Sequence, residues 1–287
     1  MALARRMPVE IISVDSAQIY RGMNIGTAKP THQEQRDVRH HLIDICDPAD
    51  IYSAARFRDD ATRLCGEIVS RGRTPLLVGG SMLYFKALRG GLSAMPSADP
   101  AVRSRIQALA DAEGWTGVHE RLQVVDPVSA ARIHPNDPQR LQRALEVWEI
   151  SGRSMTDLRA ASPPGASEFP MTQFAIWPEA RDVLHATIAA RFDAMLAAGL
   201  IDEVAALRDR GDLRPDLPAI KSVGYRQVWG YLAGEYDAGR MREKGLAATR
   251  QLAKRQITWL RRWPDVHRLG APDPVEVLDV LQSRAVD

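Results

Sequence analysis

Between Pro8 and Pro30 the chain reads PVEIISVDSAQIYRGMNIGTAKP, and this stretch constrains the fold more than any other. Val9, Ile11, Ile12 and Val14 form an apolar, β-branched run bounded by polar turn residues, the pattern of a buried strand. Asp15 and Ser16 stand where the run ends. Ligands of open α/β sheets gather at the carboxyl ends of strands, so a carboxylate there is a candidate for chemistry. The plainer alternative is an Asp that caps a turn. The connector that follows weighs against it: Gln18, Tyr20, Arg21, Asn24, Thr27 and Lys29 crowd hydrogen-bonding groups together, with Gly22 and Gly26 permitting tight turns.

Taken in order, the chain continues with Leu42, Ile43 and Ile45 as a short strand stopped by Asp47-Pro48. Ser53 caps a helix running to about Gly72, with Phe57, Ala61, Leu64, Ile68 and Val69 at helical spacing. Thr74–Val78 reads as a buried strand ended by Gly79-Gly80, and Ser81 opens a helix through Met82, Leu83, Phe85 and Leu88. Free amides at such a helix start suit an anion or a ribose, although Gly-Gly alone is often only a tight turn. The alternation of strands and helices implies a parallel sheet covered by helices on both faces, an α/β fold.

From Ser97 the pattern turns purely helical: Asp99–Asp111, Trp115–Val124, Pro127–Ile133, Asp137–Ser151 and Ser154–Arg159, with prolines at the boundaries. Pro163-Pro164-Gly165 closes that block as a linker. The sheet returns at Gln173–Trp177, followed by a helix from Glu179 to Gly199 and another over Ile201–Arg210. A long helix spans about Ala238–Arg262, Val266–Leu269 is an edge strand, and the tail is a peripheral helix. The expected organisation is a core over residues 1–96 and 166–287, interrupted by an all-helical insertion over 97–165.

Charge narrows the possible partners. Between Arg240 and Arg262 eight Lys or Arg face a single acid, Glu243, inside a chain whose net charge is only +2. Such a stripe is the footprint of a polyanion, or else a solvated helix face. Arg140 and Arg143 lie on one helix face beside Gln139 and Gln142, with Leu141, Ala144, Leu145 and Trp148 on the buried side. Lys221 and Arg226 flank Gly224, where the backbone could approach a phosphate closely. Trp259 and Trp263 read as core residues rather than base-stacking surfaces. No apolar run has the length of a membrane span, and the N-terminus has no signal-peptide core, so the expected location is cytoplasmic with no membrane partner. Cys46 and Cys65 are the only cysteines, and the seven histidines have no metal-ligand spacing, so no protein-held metal site is expected.

DSAQIYRGMNIGTAKP resembles the signature of the tRNA dimethylallyltransferases. LLVGGSMLYFKAL (Leu76–Leu88), HPNDPQRLQRALEVWEISG (His134–Gly152), SVGYRQVWGYL (Ser222–Leu232) and TRQLAKRQITWLRRW (Thr249–Trp263) match the same family in the same order. The resemblance implies a fold of the P-loop NTPase type. It also implies transfer of a dimethylallyl group from dimethylallyl diphosphate to N6 of adenosine 37, with Mg²⁺ as cofactor and the tRNA anticodon stem-loop as partner of a monomeric enzyme. Asp15 becomes the catalytic base. Contacts to tRNA are implied for Asp15, Ser16, Ala17, Gln18, Ser81, Arg103, Gln139, Arg140, Leu141, Gln142, Arg143, Lys221, Gly224, Tyr225, Arg226, Lys254, Arg255 and Gln256. Of these, Gln18 would read base edges, and Lys221 and Arg226 would also meet the diphosphate.

The family opens with a strand and a glycine-rich phosphate loop, ending in Gly-Lys-Ser/Thr, ahead of the segment at Pro8. This chain has no such loop, and Met1–Met7 resembles only the tail of the helix after it. A first strand and phosphate loop missing from the chain would leave neighbouring strands with unpaired edges and an exposed apolar groove. Two rival readings therefore stand beside the enzyme: an RNA-binding remnant without activity, and a small-molecule kinase of the phosphate-loop class.

Overall fold

The computed structural model describes residues 1–91, 93–161, 169–178 and 180–284. The chain divides into two compact units, Met1–Leu88 with Glu168–Asp287, and Arg89–Ser167. The Pro163–Gly165 linker and Glu179 lie outside the described residues.

In the first unit, β1 (Val9–Val14) is buried along its whole length, as a near-continuous apolar strand covered on both faces should be. It lies between β2 (His40–His41) and β3 (Thr74–Gly79), parallel to both. α1 (His32–Asp37) runs between β1 and β2, α2 (Ala54–Ser70) between β2 and β3, and α3 (Met82–Gly90) follows β3. Ser53 caps α2 by accepting from the Arg56 amide, and Phe57, Ala61, Leu64 and Ile68 form its buried face. β4 (Gln173–Ile176) pairs in parallel only with β5 (Val266–Leu269), and β3 only with β1, among the described residues. Both strands carry exposed apolar side chains, Val78 at 49% and Ile176 at 59%.

The helices α8 (Arg181–Ala197), α9 (Leu200–Asp209), α10 (Tyr225–Leu232) and α11 (Ala238–Leu260) lie between β4 and β5 in sequence, and α12 (Pro274–Arg284) ends the chain. Ile188, Phe192, Leu200, Val204, Tyr225 and Val228 join Tyr20, Met23 and Phe57 in one core. No single described helix is long and apolar enough to cross a membrane, and the bent pair α8–α9, apolar enough together, sends these side chains into that core.

The second unit contains α4 (Pro100–Val125), α5 (Pro127–Arg132), α6 (Pro138–Ser151) and α7 (Met155–Ala161). Gly114, at φ 72°, breaks α4 into the two helices expected from sequence. Val102, Ile106, Val118, Leu122, Leu141 and Leu145 form its core. Trp148 is exposed instead of buried, and Glu146 takes an interior position.

Two sequence expectations need correction here. Leu42–Ile45 is not a strand: Leu42 and Asp44 adopt positive φ of 60° and 55°. The chain turns there because Cys46 must meet the connector, donating its amide to Ile19 at 2.9 Å and accepting from Arg21 at 3.0 Å. The helix α1, absent from the sequence reading, is announced by a capping box in which the Thr31 side chain accepts from the Glu34 amide and Glu34 accepts from Thr31.

Glu10 is the one buried carboxylate of β1, and it is fully partnered. Arg71 donates to both oxygens at 3.1 and 2.8 Å, and His41 lies at 2.7 Å. Arg71's hydrogen bonds, with help from His41, outweigh burial and hold the Glu10 carboxyl at about 2 instead of 4.5. Because the folded value is depressed, this stabilisation is present above pH 4.5 and is lost as pH falls towards 2. Glu10→Gln should lower unfolding free energy at pH 7 by about 2 kcal/mol and flatten the acid limb, measured by urea denaturation across pH.

Candidate active site

The site begins with register. Parallel pairing sets Val14 opposite Gly79, so β1 and β3 end side by side and deliver Asp15 and Ser81 to one place. The Ser81 amide donates to Val14 O at 3.1 Å, and Ser81 Oγ accepts from the Ser16 amide at 2.9 Å and donates to Ser16 Oγ at 3.1 Å. Asp15 Oδ1 accepts from the amides of Ala17 at 2.8 Å and Gln18 at 3.4 Å. Oδ2 has no protein partner among the described residues. Asp15 therefore does cap a turn, with one oxygen, and leaves the other open.

Gln18 is committed to the protein. Its Oε1 accepts from Ser13 at 3.0 Å, and its Nε2 donates to Thr27 O at 3.2 Å and Ala28 O at 3.4 Å. With the amide occupied in this way, its visible work is holding the connector, not reading a base edge. Lys29 does the same from the far end, donating to Tyr20 O at 2.8 Å and to Asp44 at 2.5 Å, with its side chain only 3% exposed. Thr27 Oγ1 donates to Met23 O at 2.8 Å. Burial of Tyr20 pushes its hydroxyl up to about 12, so it stays protonated. The crowded polar side chains thus fold the connector on itself.

Gly224, at φ 93°, opens α10 in a conformation that L side chains rarely adopt. Tyr225 is fully buried and donates its hydroxyl to Glu203. Burial, then Glu203, hold that hydroxyl far above its ordinary value. Tyr225 therefore cannot present its side chain to RNA, which corrects the sequence expectation. Lys221 and Arg226 are exposed on either side of it, and their side chains make no hydrogen bond or ion pair among the described residues.

On α11, Gln256 Nε2 donates to Gly80 O at 3.1 Å, bringing this helix to the end of β3. Lys254 and Arg255, beside Gln256 in sequence, are exposed. The basic stripe is not uniform. Arg240 pairs with Glu243, Arg242 with Asp193, and Lys244 lies over the Tyr236 ring. Arg250, Lys254, Arg255, Arg261 and Arg262 have no such partner among the described residues, so the unspent charge sits at the Gln256 end. Trp259 is 38% exposed, contrary to its reading as a core residue, with Lys86 over its ring at 5.9 Å.

In the second unit, Glu146 is fully buried and receives Arg103 at 2.8 and 3.3 Å and Arg143 at 2.8 Å. Burial alone would raise its carboxyl, yet these guanidinium groups and the Asp99 amide hold it low. Arg143 also donates to Pro96 O at 2.8 Å, and Gln142 Nε2 to Arg103 O at 3.5 Å. Leu141 is wholly buried, so its side chain cannot touch RNA either. Gln139 and Arg140 are exposed at the start of α6.

A parallel α/β core with a helical insertion, and a carboxylate open at the end of its central strand, defines a group-transfer fold more narrowly when motifs are added. Residues 18–263 match the model of the IPP transferase family. A curated tRNA dimethylallyltransferase from Alkalilimnicola ehrlichii is 58% identical over 283 residues, covering 96% of this chain and 89% of that protein. The crystal structure of the tRNA isopentenylpyrophosphate transferase from Bacillus halodurans superposes with a TM-score of 0.69 at 37% identity, covering 99% of this chain and 89% of that one. A eukaryotic dimethylallyltransferase shares the fold, with a TM-score of 0.78 at 24% identity over 93% of this chain and 68% of its own. The chain belongs to the IPP transferase family.

Sequence reasoning missed two residues that build this site, Glu203 and the Asp44 partner of Lys29. Lys29→Met should strand Asp44 at positive φ and cost about 2 kcal/mol of stability, read from the denaturation midpoint.

Proposed function

We propose that this chain transfers a dimethylallyl group from dimethylallyl diphosphate to N6 of adenosine 37 in tRNA, releasing diphosphate. The observation that carries this reading is Asp15, whose Oδ1 is fixed by two amides while Oδ2 stays open at the end of β1. An adenine N6 amine is a weak nucleophile because its lone pair is delocalised into the ring. As N6 bonds to the allylic carbon, the carbon–oxygen bond to diphosphate breaks and one N6 proton passes to Asp15 Oδ2. A held carboxylate accepts that proton with the right timing. The departing diphosphate needs cations or amides; Lys221 and Arg226 are the unpartnered cations near Gly224. Adenosine 37 is stacked in the free anticodon loop and must be extruded to reach Asp15.

β3 and β4 are edge strands of separate parallel sheets among the described residues, which leaves room for a further strand beside them. Among the described residues no three His, Cys, Asp or Glu converge on one point, so an Mg²⁺ taking part would be held chiefly by the diphosphate oxygens and water.

Labelled dimethylallyl diphosphate and an anticodon stem-loop test the reading, with this chain and a form extended upstream. Transfer by either supports it, whereas binding of the stem-loop with no transfer by both favours the remnant. Asp15→Ala should cut transfer at least about a hundredfold while leaving stem-loop affinity nearly intact. Lost binding with normal turnover would refute Asp15 as the base. Replacing Arg250, Lys254 and Arg255 together by Ala should reduce the slope of log affinity against log salt by about 2. An unchanged slope would move the RNA away from α11.

A further inference from the structure

Helix α9 lends a carboxylate to the connector from far away in sequence. Glu203 Oε2 accepts from the amides of Asn24 at 2.9 Å and Ile25 at 2.8 Å; Oε1 accepts from Gly26 at 3.2 Å and from the Tyr225 hydroxyl. Three consecutive amides converging on one carboxylate form an anion-binding nest filled from within the molecule. The Tyr225 ring lies so close to Gly26 that any Cβ there would overlap it and Leu200.

This nest opens the segment Asn24–Lys29, where Ala28 sits at φ 48°. That left-handed conformation costs a non-glycine residue about 1 kcal/mol, and it persists only where the surroundings over-determine it. Glu203 grips the segment on one side. Gln18 grips it on the other, through Thr27 O and Ala28 O. The Gln18 and Ala17 amides in turn fix Asp15 Oδ1. Hydrogen bonds joined by the backbone of residues 24–28 and by the Gln18 side chain therefore link Glu203 to the carboxylate at the end of β1.

We propose that Glu203 is a positioning residue for prenyl transfer, setting through the connector the direction in which Asp15 Oδ2 points. The proposal rests on the function given above. Glu203 touches no reacting atom and acts on the rate only through Asp15. Four donors meet its two oxygens, so an amide cannot replace it: glutamine offers a single acceptor oxygen.

The test is Glu203→Gln, with Tyr225→Phe as a milder second variant that removes one of the four donors. Each is measured in single-turnover transfer at saturating stem-loop, in the form of the chain that transfers, alongside stem-loop Kd and thermal midpoint. The expected result for Glu203→Gln is a fall in rate per folded molecule of about a hundredfold, with Kd within about twofold of the parent. Tyr225→Phe should fall in the same direction by less. A parent-like rate per folded molecule in Glu203→Gln overturns the proposal, as does a loss confined to folded fraction or one in which affinity falls in step with rate. A parent unable to transfer at all instead overturns the functional reading, and this proposal with it.

Discussion

The in-register parallel pairing of β1 with β3 is the constraint on which the rest depends. It sets Val14 opposite Gly79 and so joins the turn at Asp15 to the helix start at Ser81, where Ser16 and Ser81, 65 residues apart in sequence, are in hydrogen-bond contact. A one-residue slip would turn every β1 side chain to the other face and separate the two strand ends. The burial of all six β1 residues prevents that slip. Glu10, the exception in polarity, is tolerated because Arg71 and His41 satisfy it. The functional end of the strand is thereby secured at the opposite end.

The connector after Asp15 has no regular secondary structure, yet its groups are almost all spent. Lys29, Thr27 and Gln18 bond to its own backbone, Cys46 bridges to it, and Glu203 with Tyr225 holds it from the helical side. Ordering such a segment costs roughly 1–2 kcal/mol per residue in backbone entropy. Preorganisation of this kind places the cost in folding, so that a reacting group is met by a carboxylate already aimed.

Much of this was legible in the sequence, and the failures have physical causes. β1, α2, β3 and the broken α4 follow from apolar period and from Ser, Pro and Gly at element boundaries. Leu42–Ile45 misled because an apolar run can serve a bridge to a neighbouring loop as readily as a ladder. Gln18 lies in the connector, but residue type cannot say whether an amide faces a ligand or its own chain. Leu141 and Tyr225 lie within family motifs, and a motif records both the residues that touch a partner and those that hold them. Glu203 was invisible for another reason. Beside Asp202 in the first turn of a helix, it looks like an acid placed for the helix dipole. The basic stripe was legible as charge, but only the structure separates Arg240 and Arg242, neutralised by local partners, from Arg250, Lys254 and Arg255.

The most direct test of a preorganised connector is amide hydrogen exchange on the unliganded, unsubstituted protein. The account predicts that the amides of Ala17, Gln18, Asn24, Ile25 and Gly26, all bound to carboxylates, exchange as slowly as those of β1. Exchange at the rate of an open loop, with β1 still protected, would contradict it, because Asp15 would then be aimed only when substrate arrives.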